Sequence, residues 1–428
     1  MRTRPAEPQA FVTLLQGCFA RSDALFARLP EGALHTRPIG LRHPFLFYLG
    51  HLPAFAWNQV SRVLEAGPLH PEFDRLFERG IDPPDAAAAA GVSIARWPEL
   101  DEVLAYRDRA RREVLARVPA VLERTGDVLC EQGRLLHLVA EHELMHHETL
   151  MYMLQELERP RPAPAEALAG ADGEGRAAEA RTIAAGRVHM GVALAGVDFA
   201  WDNELGALEV DVPAFSIDSL PVRNRDWHDF LASVSASERG RLTPQSWIER
   251  DGARFVKTVL GPVPFAQAAG WPVQVSGAQA RVYAAAHGGR LPTEAELRRA
   301  AYGGPGDEVR TYPWGEQAPT ADRGNFGFGR WTPTPVGSHP AGASAWGVEE
   351  LLGNGWEWTC TPFAPLPGFV AYARTYPGYS SDFFDDAHDV VFGASWATYG
   401  KLLRPSFRNW YRRDYPYAFT SFRVVRAA

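Results

Sequence analysis

A chain of 428 residues, 46% hydrophobic and 22% charged, can bury sizeable cores and divide into two or three domains. Its 44 Lys+Arg against 51 Asp+Glu leave a net charge of −7, which gives no electrostatic footprint for nucleic acid or an anionic membrane surface. Small-molecule substrates are the default expectation. The cysteines, Cys18, Cys130 and Cys360, lie more than a hundred residues apart. That spacing excludes a CxxC metal knuckle, argues against a disulfide framework and points to a reducing cytoplasm. The opening MRTRPAEPQAFVTLLQG lacks a long apolar run, and no window reaches the length of a membrane span, so neither export nor anchoring is expected.

To about residue 160 the apolar residues return every three or four positions, which predicts amphipathic helices. Four segments result: Pro8 to Leu29, Pro44 to Ala66 with a kink at Pro53, Pro98 to Arg124, and Asp127 to Glu158. With loops rich in Pro, Gly and Asp between them, they read as an up-and-down four-helix bundle over residues 1–160. Residues 161–180, dominated by Pro, Ala, Gly and charge, read as an exposed linker. From 181 to 428 the apolar runs shorten and Gly, Pro, Asn and Asp break them, while eleven of the thirteen tryptophans fall between Trp201 and Trp410. This half reads as loop-rich and pinned by aromatics. A helix is expected over Ser276 to His287, and a second after Thr293, with Glu296 at the capping-box position. The fold class is α+β.

The stretch EHELMHHETLM carries His142 and His146, four residues apart and so on one face of a helix. Leu135, Leu138, Thr149 and Met153 share that stripe, which should face the bundle interior. One interior histidine usually just hydrogen-bonds; two in register suggest a shared metal ion. His142-Glu143-Leu144-Met145-His146 also matches H-E-x-x-H, the zinc-peptidase pattern. A peptidase needs a third ligand downstream, and Glu166, at the right separation, lies in the proline-rich stretch. The other source is an earlier helix, where LRHPFLFYLGHLPAFAW places His51 among Phe47, Tyr48, Phe55 and Trp57. Three neutral imidazoles suit Zn, Fe, Ni or Cu and leave coordination positions open to anionic ligands such as thiolates.

Seven stretches in order, LRHPFLFYLGH, FERGIDP, EHELMHHETLMYML, LPTEAEL, GVEELLGNGWEWT, YPGYSSDFFD and RPSFRNWYRRDYPYAF, resemble the sulfoxide synthases of ergothioneine biosynthesis, most of all the fungal branch. The resemblance spans nearly the whole chain. It implies a DinB-like four-helix bundle followed by a C-type-lectin-like domain similar to formylglycine-generating enzymes. It also implies a non-haem Fe(II) enzyme that uses O2 to join a thiol to hercynine (trimethylhistidine) and to oxidise the sulfur to a sulfoxide. Carried over by motif, His51, His142 and His146 are iron ligands and Tyr379 is the catalytic tyrosine. Asn409 and Trp410 bind hercynine, and Arg96 binds the thiol donor. Aromatic faces suit a trimethylammonium, which cannot donate a hydrogen bond. Trp356 and Trp358 read as structural.

Two departures bear on the donor. Tyr411 stands where enzymes using gamma-glutamylcysteine carry an Asp, and Met145 where they carry a Gln. Loss of the Asp removes a partner for the donor's ammonium and favours free cysteine. Neighbouring readings are an ovothiol-type synthase acting on histidine, a selenoneine synthase, a DinB-type thiol transferase working without O2, and a non-catalytic ligand-binding protein. Glu143, between the two ligands, is expected on the helix surface or just behind the metal, not as a general base.

Overall fold

A computed structural model describes residues 7–78, 97–159, 161–165, 167, 173–306, 309–372, 376 and 378–428. Arg96, Glu166 and the FERGIDP residues from 79 onward lie outside the described residues. The chain forms two compact units: residues 1–157 with 194–199 and 372–377, and the remainder from Glu158 onward.

The first unit is helical. Its long helices are α1 (Pro8–Phe26), α2 (Phe45–Leu64), α3 (Leu100–Ala116) and α4 (Arg134–Gln155). α2 packs on α3 and α4, and α1 packs on α4. Every residue of α2 from Phe45 to Trp57 is buried, as expected of a helix apolar on all sides. Pro53 lies inside this helix, which continues past it to Leu64. Two boundaries differ from the sequence reading. The third segment divides at Arg117, because Pro119 opens a separate short helix, Val118–Glu123. The fourth begins only at Arg134, because Gln132 and Gly133 adopt positive φ (58° and 72°), which no α-helix accommodates.

The second unit is mixed. β1 (Ala180–Ile183), β4 (Phe215–Asp218) and β12 (Val425–Ala427) form one sheet in the order β1-β4-β12. β2 (Gly186–Met190) pairs with β3 (Leu208–Val212), and β5 (Trp247–Arg250), β6 (Ala253–Val256) and β7 (Val263–Pro264) form a sheet in that order. A further sheet has the order β10-β9-β8-β11, from β8 (Gly355–Pro362), β9 (His388–Ala394), β10 (Asn409–Arg412) and β11 (Thr420–Ser421). Helices α5 (Asn224–Ser233), α6 (Gly277–Ala286) and α7 (Glu294–Tyr302) flank two apolar cores. Ser276 and Thr293 cap α6 and α7, each in a capping box, with Gln279 and Glu296 respectively. Trp356 and Trp358 are core residues, and the Trp358 indole N–H donates to the Val275 carbonyl at 2.8 Å. Arg423 and Glu357 form an ion pair with no exposed surface, and the Arg423 guanidinium also donates to the carbonyls of Asp218, Ser219 and Glu349.

The proline-rich stretch is not free at its described ends. The Arg161 N–H donates to the Leu260 carbonyl, and the Arg176 N–H to the Val336 carbonyl, both within the second unit. Composition reported its lack of a core pattern but not these backbone anchors.

Candidate metal centre

On α4, His142 and His146 stand one turn apart, and α2 supplies His51 opposite them. One nitrogen from each lies within 4.8 Å of the others. Imidazole–metal bonds of about 2.1 Å put the ligand atoms on one ion about 3–4.2 Å apart, close to this spacing. The Nε2 atoms of His51 and His146 are 3.3 Å apart. His142 Nε2 is buried without a hydrogen-bond partner. Buried nitrogens converging in this way fit a bound cation, which would satisfy them together.

His51 is held by its other nitrogen. Nδ1–H donates to the Phe77 carbonyl at 2.7 Å, which leaves the Nε2 lone pair for the metal. The local sequence makes room for this bond. A Cβ on Gly50 would lie 2.6 Å from three atoms of the Phe77 ring, so any larger residue there would force that ring to shift. Burial drives His51 down to about 4 despite the Phe77 bond. Burial, then neighbouring histidines and for His146 also Arg42, hold His142 and His146 well below the ordinary histidine range. All three are therefore neutral donors at physiological pH.

Aromatic rings wall the cluster. Phe55 stacks on His142 with ring centres 3.4 Å apart and planes at 8°, and Phe47 stacks on His51 at 5.2 Å. Tyr376 lies 5.2 Å from Phe55 and 6.2 Å from His142, edge-on to both. Tyr379, which the resemblance marks as catalytic, lies in the second unit. It stacks on Trp201 at 4.2 Å and meets Trp410 edge-on at 5.3 Å. The stretch TYPGY holds two tyrosines three apart: the motif marks Tyr379, and the ring contact with His142 belongs to Tyr376.

Asn409 and Trp410 open β10, paired with Val391 and Val390 of β9. One face of the Trp410 indole is covered by Phe363, 4.1 Å away at 7°. The Asn409 side-chain oxygen accepts from the Trp410 N–H at 2.9 Å. Tyr411 stacks on Tyr415 at 5.7 Å.

Of the two places expected for Glu143, the helix surface is excluded, because the residue is buried. Ser22 of α1 donates to Glu143 Oε1 at 2.5 Å, and Arg111 of α3 approaches the same oxygen to 3.7 Å. Burial raises the Glu143 carboxyl above its usual range, with Arg111 and the Ser22 bond pulling the other way. His147, next to the ligand His146, donates to Ser22 Oγ across 2.7 Å. The periodicity of α4 places these residues off the ligand face, but no sequence pattern pointed to Ser22.

The comparisons with known proteins agree with this division. Residues 14–150 match the DinB superfamily, and residues 165–428 match the sulfatase-modifying factor enzyme 1-like domain family. The chain is 34% identical to the hercynine oxygenase of Mycolicibacterium smegmatis over 425 residues, covering 93% of this chain and 94% of that one. It is 31% identical to ergothioneine biosynthesis protein 1 of Neurospora crassa over 497 residues, covering 93% of this chain but 55% of the fungal protein. This chain therefore spans just over half the length of that relative. Over 255 residues it is 44% identical to the hercynine oxygenase of Mycobacterium tuberculosis, 56% of this chain and 58% of that one.

Proposed function

Because the chain belongs to the hercynine oxygenase family, we propose that it is an Fe(II)- and O2-dependent sulfoxide synthase that joins the sulfur of free cysteine to hercynine. The observation that carries this reading is the convergence of His51, His142 and His146, with the buried, unpartnered Nε2 of His142 among them. Iron held there would supply electron-transfer chemistry with O2 and open positions for a thiolate and an imidazole.

The protein's own residues have separable tasks. The three neutral imidazoles bring no negative charge, so the site favours an anionic partner such as a thiolate. Phe47 and Phe55 shield His51 and His142 from water. A tyrosine hydroxyl of the TYPGY stretch supplies the proton or hydrogen atom: the motif marks Tyr379, and the ring contact with His142 favours Tyr376. Trp410 offers an aromatic surface to the trimethylammonium, and Asn409, its oxygen already engaged, offers its amide NH2 to a carboxylate. Position 411 presents a phenol packed on Tyr415, with no carboxylate for a gamma-glutamyl ammonium.

Anaerobic loading with Fe(II), followed by O2 with hercynine plus cysteine or hercynine plus gamma-glutamylcysteine, tests the reading. The expected result is a sulfoxide product, coupled to oxygen uptake, with cysteine preferred. Absence of product from hercynine with any thiol or selenol overturns it. Turnover without O2 identifies a thiol transferase, and substitution on the other ring carbon of histidine identifies an ovothiol-type enzyme.

A further inference from the structure

The two residues that follow the ligand histidines share a single partner. Glu143 and His147 are four apart on α4, so they form their own stripe, about 100° around the helix from His142 and His146. Both reach the hydroxyl of Ser22 on α1, which donates to Glu143 Oε1 at 2.5 Å and accepts from His147 Nε2 at 2.7 Å. The hydroxyl thus uses its donor and an acceptor site in opposite directions. Ser22 and His147 have no exposed surface, and Glu143 is 2% exposed. Arg111 joins from α3, 3.7 Å from Glu143 Oε1, and is itself held by Asp23 at 2.8 Å beside the Phe19 ring.

We infer that Ser22 is a positioning residue of the metal centre, which by gripping Glu143 and His147 fixes the rotation of α4 and so the aim of His142 and His146 toward His51. The inference rests on the reading of those histidines as metal ligands. Apolar contacts around α4 are non-directional and resist a small rotation weakly, whereas two hydrogen bonds to one hydroxyl are directional. The lever is long. An imidazole nitrogen stands roughly 6 Å from a helix axis whose Cα radius is about 2.3 Å, so a turn of about 15° displaces it by roughly 1.5 Å. Ligand constellations tolerate about 0.5 Å. A buried polar cluster is costly to desolvate and contributes little net stability, so its value here is geometric.

Co(II), whose visible bands report ligand geometry, is the probe. Ser22→Ala should bind Co(II) about 10- to 100-fold more weakly, the usual effect of losing an outer partner of a metal site, with altered band positions and intensities. Ser22→Thr, which keeps the hydroxyl, should restore both. Leu15→Ala, a fully buried apolar truncation on the same helix, should lower the melting temperature at least as much and leave the spectrum unchanged. If Ser22→Ala does not fold, His147→Leu, which removes one of the two grips, should shift the spectrum in the same direction. Wild-type affinity and spectrum in the Ser22 and His147 variants would overturn the inference alone. Failure of the wild-type protein to take up Co(II) would overturn the metal reading with it.

Discussion

Tyr376 meets His142 edge-on, with ring centres 6.2 Å apart and planes at 72°. Within the described residues of the helical unit, this puts a phenol beside the proposed metal centre. Tyr376→Phe should therefore abolish most carbon–sulfur bond formation and divert turnover to plain thiol oxidation, a loss of about 10²- to 10⁴-fold for a missing proton donor. Tyr379→Phe should keep the product ratio and change mainly the fit of Trp201 and Trp410. Product analysis by mass spectrometry separates the two, and the reverse pattern returns the role to Tyr379.

Removing a ligand should cost metal before it costs fold. His142→Ala should reduce bound transition metal from about one per chain to near zero. Added metal at about 100 times its Kd stabilises a binding protein by roughly 2.7 kcal/mol, so the wild type should melt higher with metal and the variant should not. Metal analysis and paired melting curves check both halves of this expectation.

Gly50→Ala would ordinarily favour a helix interior by about 1 kcal/mol. Here its Cβ would meet the Phe77 ring at 2.6 Å, and overpacking of this kind costs about 1–3 kcal/mol. As Phe77 moves, its carbonyl leaves His51, and metal affinity should fall about 10- to 100-fold. Adding Phe77→Leu should recover much of that loss, because it shrinks the ring and keeps the carbonyl. A double-mutant cycle measures the coupling.

In the second unit, Glu294 is buried between Arg408, whose Nε–H donates to it at 3.0 Å, and Arg298. Burial pushes its carboxyl up, but the two guanidinium groups outweigh that and hold it below the ordinary value of 4.5. A folded-state value below the unfolded one gives stability that is complete above about pH 4.5 and lost as pH falls through the folded value. Glu294→Gln, which leaves two buried cations uncompensated, should cost about 3–5 kcal/mol at pH 7. The penalty should shrink on acidification below pH 4, as denaturant melts at both pH values will show.

Much of this was legible in the chain itself. Period and polarity marked the four long helices, because α2 and α4 bury nearly everything they carry. The spacing of His142 and His146 gave their common face. Capping boxes at Ser276 and Thr293 are local chemistry and needed no tertiary information. What escaped the sequence depends on approach between distant segments. Ser22 reaches across 121 residues to Glu143, and nothing around position 22 signals it. The sequence left Glu143 either on the surface or behind the metal, because the partners that bury it lie on two other helices. The contact of Tyr376 with His142 joins segments more than two hundred residues apart, and no motif signals it. No helix among the described residues is long and apolar enough to cross a membrane, in keeping with the composition.

The group that orients His51 belongs to the main chain, and this decides which changes the site can suffer. Substitution at position 77 cannot delete a carbonyl that every amino acid carries, so mutation there acts only by moving the backbone. The tautomer of the ligand is thus insulated from sequence drift at its partner. Its vulnerability lies next door, at Gly50, where a single added carbon would press on the Phe77 ring.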